Sequence, residues 1–444
     1  MAALLGSAVV LKGLSRAELN DARGHAVSYD ESTGRVGVRL ASGRCVAVRL
    51  ANLSLLVGSE AVDLSTTREA RLHAAADDLN ELLDGEPLDA LRAHLAQRAA
   101  RPGCAPSPRA RLAGGAAALV EAVGGEGGEA VAAEACLALA KLAGRGARGK
   151  EAVIAAGGAA ALAAAAGGRA GGAAWRALAS VANGGEACKR AVVEAGVARR
   201  AADAARRGED RGVLRLCCAT LANLANGEAC SGALVEAGAA AAVVGVMKRF
   251  PGEAELIGDA CLALANLASH KQGGGAESVC EADGVAMVVK AVRALGESSP
   301  KVRHWGSAAL VNLASNNGEC KEAVIESGGV GAAVHLLQIC PCGEAEAQKM
   351  AAGVLTHISS SGEAGRHEVT ATGGVAAATK CMSTADDVPL IEECMRAVAS
   401  MVFASDEDFR TSAIPAVLEN ILLRFPTEPR VQDMGRALLT RLGR

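Results

Sequence analysis

From about residue 107 onward, apolar residues recur at i, i+3, i+4 and i+7, the stripe of a helix that buries one face. A short polar gap and a glycine interrupt the stripe at regular intervals. The clearest instance is LVNLASNNGECKEAVIESGGV, Leu310 to Val330. LANLANGEACSGALVEAGA, Leu221 to Ala239, and LANLASHKQGGGAESVCEADGV, Leu264 to Val285, repeat it. Looser copies start at Leu139, Leu178 and Leu355, and a last one from about Val402 drops the glycine. The marker glycines are Gly157, Gly196, Gly238, Gly284, Gly328 and Gly373, spaced by 39, 42, 46, 44 and 45 residues. Each unit reads as three helices: a short one ended by the glycine, a second apolar one, and a third after a Gly- or charge-rich break. Helices this small cannot bury their apolar faces alone, so stacked neighbours must share a continuous core.

The recurring phrase, A-L-x-N-L-A, a polar gap, then K-x-A-V-I-E-A-G-G-V, resembles the armadillo repeat family over residues 107–444, in six to seven units. The resemblance implies a mainly α fold, a right-handed α-solenoid whose third helices line a concave groove. It also implies that the Asn of the phrase faces an extended partner and hydrogen-bonds its backbone, since an amide side chain both donates and accepts. Asn223, Asn266 and Asn312 match that position, while Lys141, Ser180 and His357 occupy it in other units. In the nuclear import carriers of this family a Trp precedes the Asn by four residues. Here Ala219, Leu262 and Ala308 stand there, Trp175 lies five before Ser180 and Trp305 seven before Asn312. The register that grips a basic signal peptide is therefore missing.

Residues 5–56 follow a different grammar, alternating apolar and polar positions with period two. Strands are predicted at Gly24–Tyr29, Arg35–Leu40 and Arg44–Leu50, with turns at Asp30–Gly34 and Ala41–Gly43. The phrase LKGLSRAELNDARGHAVSYDESTGRVGVRL resembles the small SH3-like barrels of algal multidomain proteins, which implies a small all-β domain. Residues 64–100 carry two helical patterns, the first capped by Ser65 and ended by Gly85, that read as a connector or cap. Arg101–Pro108 (RPGCAPSP) is the predicted linker.

Composition shifts this picture little. Half of the 444 residues are hydrophobic but only 2% are aromatic, so the core must be built from small side chains. The net charge of −3 favours no class of partner. Its distribution is uneven: residues 141–215 hold 14 Lys/Arg against 6 Asp/Glu, and residues 216–300 hold 5 against 9. Arg199, Arg200, Arg206 and Arg207 concentrate the positive charge, a patch suited to an acidic segment or a solvated outer helix face. With so few aromatics to stack on bases, nucleic acid is disfavoured. The apolar run before Leu11 lacks the positive start of a signal peptide, and the uncharged stretch Ile154–Gly168 is too short to span a bilayer. The expected setting is intracellular, cytoplasmic or nuclear, with the 14 cysteines reduced.

Candidate chemistry is sparse. No C-x-x-C occurs, and Cys217-Cys218 and Cys340-Pro-Cys342 lack partners at zinc spacing. Cys136, Cys218 and Cys261 each lie five residues before the Asn position, and Cys188, Cys230 and Cys320 each lie eight before a marker glycine. That is how a small buried hydrophobe behaves in a repeating core. No nucleophile pattern surrounds His357. The stretch GRGARGKE, residues 144–151, fits the start of a phosphate-binding loop. It follows a helical pattern rather than a strand, however, and Lys150 is followed by Glu151, not Ser or Thr. Lys150 lies seven before Gly157, as Lys189 lies before Gly196 and Lys321 before Gly328, so it is the ordinary lysine of the repeat. The sequence thus predicts a non-catalytic scaffold, without cofactor, metal or small-molecule substrate, that binds a protein or extended peptide in its groove. A structural part of a cytoskeletal or ciliary assembly and, more remotely, an import-type carrier are the alternatives.

Overall fold

A computed structural model of the chain describes residues 8–11, 19, 22–30, 35–40, 45–49, 53–57, 60–63, 108–125, 128–341, 343–401, 409 and 412–443. They fall into two units, Met1–Val197 and Ala198–Arg444.

The period-two segment forms β2 (Arg23–Asp30), β3 (Arg35–Leu40) and β4 (Cys45–Arg49), close to the three predicted strands. Val36 and Val38 are buried while Arg39 is exposed, as alternation requires. Three more strands join them: β1 (Ala8–Leu11), β5 (Leu53–Val57) and β6 (Glu60–Asp63). The antiparallel order is β4-β3-β2-β1-β5-β6. The apolar run weighed above as a signal sequence supplies β1, which pairs with β2 on one side and β5 on the other. Among the described residues β4 and β6 are the outer strands, and these pairings do not show the closure into a barrel that the SH3-like resemblance implied. The connector expected at residues 64–100, and the linker up to residue 107, lie outside the described residues.

The remaining described elements are helical. The first unit carries α1 (Pro108–Gly124), α2 (Gly128–Gly144), α3 (Ala147–Ala155), α4 (Gly158–Ala165), α5 (Gly171–Ala182) and α6 (Glu186–Glu194). α2 and α5 pack side by side, and α1 covers α2, α3 and α4.

In the second unit, α7 (Val197–Arg207) and α8 (Arg211–Ala225) are a second and a third helix. Four further triplets follow, each a first, second and third helix. They are α9 (Ser231–Glu236), α10 (Ala239–Arg249) and α11 (Ala254–Leu267); α12 (Gly275–Glu281), α13 (Gly284–Leu295) and α14 (Pro300–Ala314); α15 (Gly318–Glu326), α16 (Gly329–Ile339) and α17 (Ala345–Ser359); and α18 (Glu363–Ala371), α19 (Gly374–Thr384) and α20 (Val388–Met401). A final pair, α21 (Ile414–Arg424) and α22 (Pro429–Arg441), ends the unit. Contacts sort these helices into columns: third helix packs on third from α8 through α11, α14, α17 and α20 to α22. Second helices do the same from α10 through α13, α16 and α19 to α21.

Local sequence sets the helix ends. Asp210 accepts from Val213 N (2.9 Å) to start α8, Asn317 accepts from Cys320 N (2.9 Å) to start α15, and Ser299 followed by Pro300 starts α14. Between first and second helix the chain makes a left-handed turn at Gly157, Gly196, Gly238, Gly328 and Gly373. In the middle repeat the left-handed residue is Asp283 (φ 62°), not the expected Gly284. Gly284 instead opens the second helix, as Gly158, Gly329 and Gly374 do. A Cβ at these four would press on Val279, Val153, Val324 and Val369, 2.5 to 2.8 Å from the nearest atoms. With Asp283 in place the turns are spaced by 39, 42, 45, 45 and 45 residues, a stricter period than the sequence reading gave.

Candidate functional site

The third-helix column of the second unit brings four of the expected groove positions onto successive, touching helices: Asn223 on α8, Asn266 on α11, Asn312 on α14 and His357 on α17. All four are half-exposed. Lys141 on α2 and Ser180 on α5 hold the matching place in the first unit and are also half-exposed.

The asparagines do something the sequence did not announce. Asn266 Nδ2 donates to the Ala222 carbonyl (2.8 Å), and Asn312 Nδ2 donates to the Ala265 carbonyl (2.8 Å). Each acceptor is the residue just before the previous asparagine. Arg441 on α22 repeats the pattern by donating to the Ala399 carbonyl (2.9 Å), one residue before Ser400. One face of each amide is thereby fixed to the neighbouring repeat, which orients its Oδ1 as an acceptor.

Around this row the charges are closed on themselves. Arg215 on α8 binds Asp259 (2.9 Å) and Glu255 (2.8 Å) of α11, and Lys301 on α14 binds the same two carboxylates from the other side, at 2.6 and 3.3 Å. A Cβ at Gly258 would stand 2.6 Å from the Lys301 stem, so the missing side chain is what lets the lysine lie across α11. The partners are 40 to 46 residues apart in sequence. Only alignment of the repeats could have revealed them: Arg215 is eight before its asparagine, Asp259 seven, and Glu255 and Lys301 eleven.

The same third helices also carry half-exposed apolar residues, Leu262 on α11, Trp305 and Val311 on α14, and Met350 on α17. His304 meets Trp305 edge-on at 4.5 Å. Trp175 of the first unit is instead buried. Further along, Thr356 donates to Glu393 (2.8 Å), which also pairs with Arg396 (2.8 Å). Burial pulls the His357 pKa down; Glu393 opposes this, and Lys321, Lys271 and Arg396 add to it. His357 is therefore neutral at pH 7.

The basic patch is elsewhere, on the second helix α7. Arg199, Arg200 and Arg207 are exposed. Arg206 is engaged: it pairs with Asp203 (2.8 Å) and donates to the carbonyls of Ala237 (2.7 Å) and Gly238 (3.2 Å) at the next left-handed turn. Arg249 of α10 reaches back to the carbonyls of Ala205 and Gly208. Part of the charge counted in the sequence thus clamps one repeat to the next.

Lys150 sits in α3 after a helix, and its Nζ donates to the Asn183 carbonyl at the end of α5 (2.5 Å). Cys136, Cys218 and Cys261 are fully buried, as are their counterparts Cys188, Cys230 and Cys320 to within 4% exposure. Burial lifts the Cys136 and Cys261 thiols to about 12. Among the described residues no group of three or more His, Cys, Asp or Glu is placed to hold a metal ion, and no single helix is long and apolar enough to cross a membrane.

Comparison with known proteins bears on the fold. Residues 317–360, the unit α15 to α17, match the Armadillo/beta-catenin-like repeat. No curated protein matches the chain. Among solved structures, the chain is similar to an engineered protein at 25% identity and a TM-score of 0.67, covering 86% of this chain and 97% of that one. A second engineered protein is 27% identical with a TM-score of 0.50, over 55% of this chain and 96% of its own. A designed armadillo repeat protein is 24% identical with a TM-score of 0.49, over 54% of this chain and 98% of its own. The three-helix unit that carries the family match is the one that recurs along the second unit.

Proposed function

We propose that the chain is a non-catalytic scaffold that binds an extended segment of a protein partner along the third-helix column of its second unit. The observation that carries this reading is the row of pinned asparagines. An extended segment presents backbone N–H groups that need acceptors, and Asn266 and Asn312 hold an oriented Oδ1 on successive helices. The closed network of Arg215, Glu255, Asp259 and Lys301 leaves this stretch without a net charge to offer. Selectivity then falls to Leu262, Trp305, Val311 and Met350, which favour apolar side chains over a basic signal. The exposed Arg199, Arg200 and Arg207 extend the reading to a second contact with an acidic stretch of the partner, and the N-terminal sheet offers another.

Segments selected from a displayed peptide library on the full chain test this. Leu262→Glu and Trp305→Ala change half-exposed side chains of the column, and Tm followed alongside affinity separates folding from binding. The expected result is affinity weakened tenfold or more, with Tm nearly unchanged. Selected segments that bind both variants as tightly as the wild type would place the binding surface elsewhere.

A further inference from the structure

Two repeat registers account for six of the 14 cysteines, and Cys280 falls outside both. It stands three residues before the left-handed Asp283, where other units carry Ile154, Val193, Val235, Ile325 and Thr370. Its Sγ lies 3.3 Å from the Sγ of Cys320, on the first helix of the following unit. The same two helices, α12 and α15, are tied by Asn317 Nδ2 donating to Glu277 Oε1 (2.7 Å). In the same register the neighbouring units set Ile154 against Cys188, Val235 against Gly275 and Ile325 against Gly365. Two thiols coincide at the α12–α15 interface alone among these. Cys280 is half-exposed and both thiols are free, while Cys320 is buried.

We propose that Cys280 and Cys320 form an oxidation site, closed to a disulfide by a hydroperoxide, that staples two successive repeats through their first helices. The Cys280 thiolate attacks the peroxide O–O bond, forming a sulfenic acid and releasing the alcohol or water after protonation. Cys320 sulfur then displaces hydroxide from Cys280, which leaves as water with the Cys320 proton. Two thiols lose two electrons to the peroxide. The sulfurs need to approach by only about 1.3 Å to reach the ~2.05 Å bond. Burial, reinforced by the Cys320 hydrogen bond, raises the Cys280 thiol to about 12, so little thiolate exists at neutral pH. The site is a slow staple rather than a fast sensor, and its rate should climb about tenfold per pH unit between pH 7 and 9.

The test exposes the purified full chain to hydrogen peroxide at pH 8, blocks remaining thiols with a maleimide and maps the peptides without reduction. The expected product is a cross-linked peptide pair carrying Cys280 and Cys320. Its Tm should exceed that of the reduced chain by several degrees, roughly as expected for closing a loop of this length. Cys280→Val, which installs the residue of two other units, should fold and lose both the cross-link and the shift. Cys320→Ser should leave Cys280 as a sulfenic acid that dimedone captures. Cys381 and Cys394, also hydrogen-bonded to each other but both buried, should stay reduced. Recovery of Cys280 and Cys320 both maleimide-blocked after oxidation of the other thiols, or a cross-link at Cys381–Cys394 instead, would overturn the proposal.

Discussion

The helices of the first unit and those of the second follow one plan with different materials. In α4 the buried face is Gly158, Ala159, Leu162 and Ala163; in α16 it is Gly329, Val330, Val334, Leu336 and Leu337 with two alanines. At about 0.8 kcal/mol per buried CH₂, the second set gains more from burial. The left-handed turns are 39 residues apart in the first unit and 45 apart in the second from Gly238 onward. Polar ties between repeats differ as well. The first unit shows Lys150 on the Asn183 carbonyl and an exposed Arg169–Glu129 pair at 3.4 Å. The second shows the amide row, the Arg215–Lys301 network, the Arg206 and Arg249 clamps, and a bidentate pair between Arg303 and Glu344. Regular spacing is what allows such ties: a side chain can meet the same carbonyl in every repeat only when each repeat has the same length. Hydrogen exchange should accordingly find the amides of α4 opening at lower free energy than those of α16.

Arg303 offers the strongest way to break the contrast. Its side chain is 7% exposed, and the guanidinium binds both Glu344 oxygens and donates to the Gly296 (2.7 Å) and Glu297 (3.2 Å) carbonyls. Arg303→Ala should cost about 3 kcal/mol in urea unfolding of the second unit, because it strands Glu344 and two carbonyls. The hydrogen bonds and charge of Arg303 also hold the Glu344 pKa below the usual carboxylate value. That contribution is present above the unfolded pKa and is lost as pH falls through the folded one. Stability should therefore drop below about pH 4.3, and Glu344→Gln should flatten the drop.

Next in size is Gly329→Ala, whose Cβ would meet the Val324 carbonyl oxygen at 2.8 Å and should cost about 1–3 kcal/mol. Gly158→Ala meets Val153 equally closely, so a smaller loss there would show that the Ala-rich unit yields more easily. Asn266→Ala and Asn312→Ala should each cost about 1 kcal/mol by thermal unfolding, for the lost bond to the neighbouring carbonyl. No change in Tm would mean that these amides serve only a ligand. The smallest effect, in the opposite direction, belongs to Asp283→Gly. It relieves a left-handed non-glycine residue at the expense of an exposed pair with Lys248 (3.2 Å), and should raise stability by up to about 1 kcal/mol.

The helical plan was legible because period and punctuation agreed. Leu221, Leu264, Leu310 and Leu355 mark the buried faces of α8, α11, α14 and α17, and glycine marks most turns. The turn at Asp283 stands one residue before the glycine that the pattern marks, because Gly284 opens the second helix instead. Strands β2 to β4 showed in the alternation of Val36, Val38, Val46 and Val48. β1 (AVVL) and β5 (LSLLV) did not, since short apolar runs carry no period. For the candidate site, the positions of the asparagines were readable but their bonds were not. Asn266 and Ala222 are 44 residues apart, and no local pattern links them. The arginine cluster was readable as charge, yet Arg206 is bound to the next turn.

The carbonyls that receive the amide row have a further meaning. Ala222, Ala265 and Ala399 all lie in the last turn of their helices, where the backbone has carbonyls that lack a full set of partners. Each of these helix ends therefore receives a donor from the repeat that follows it. α8 and α11 also close locally, with Asn226 N on the Ala222 carbonyl and Ala268 N on the Leu264 carbonyl, so the donor from more than forty positions downstream is a second tie. α22 closes in the same local way, with Leu442 N on the Leu438 carbonyl, and Gly443, at φ 77°, turns the chain left-handed. Removing a repeat would therefore take a donor from the helix end of the repeat before it, an effect felt on the N-terminal side of a break.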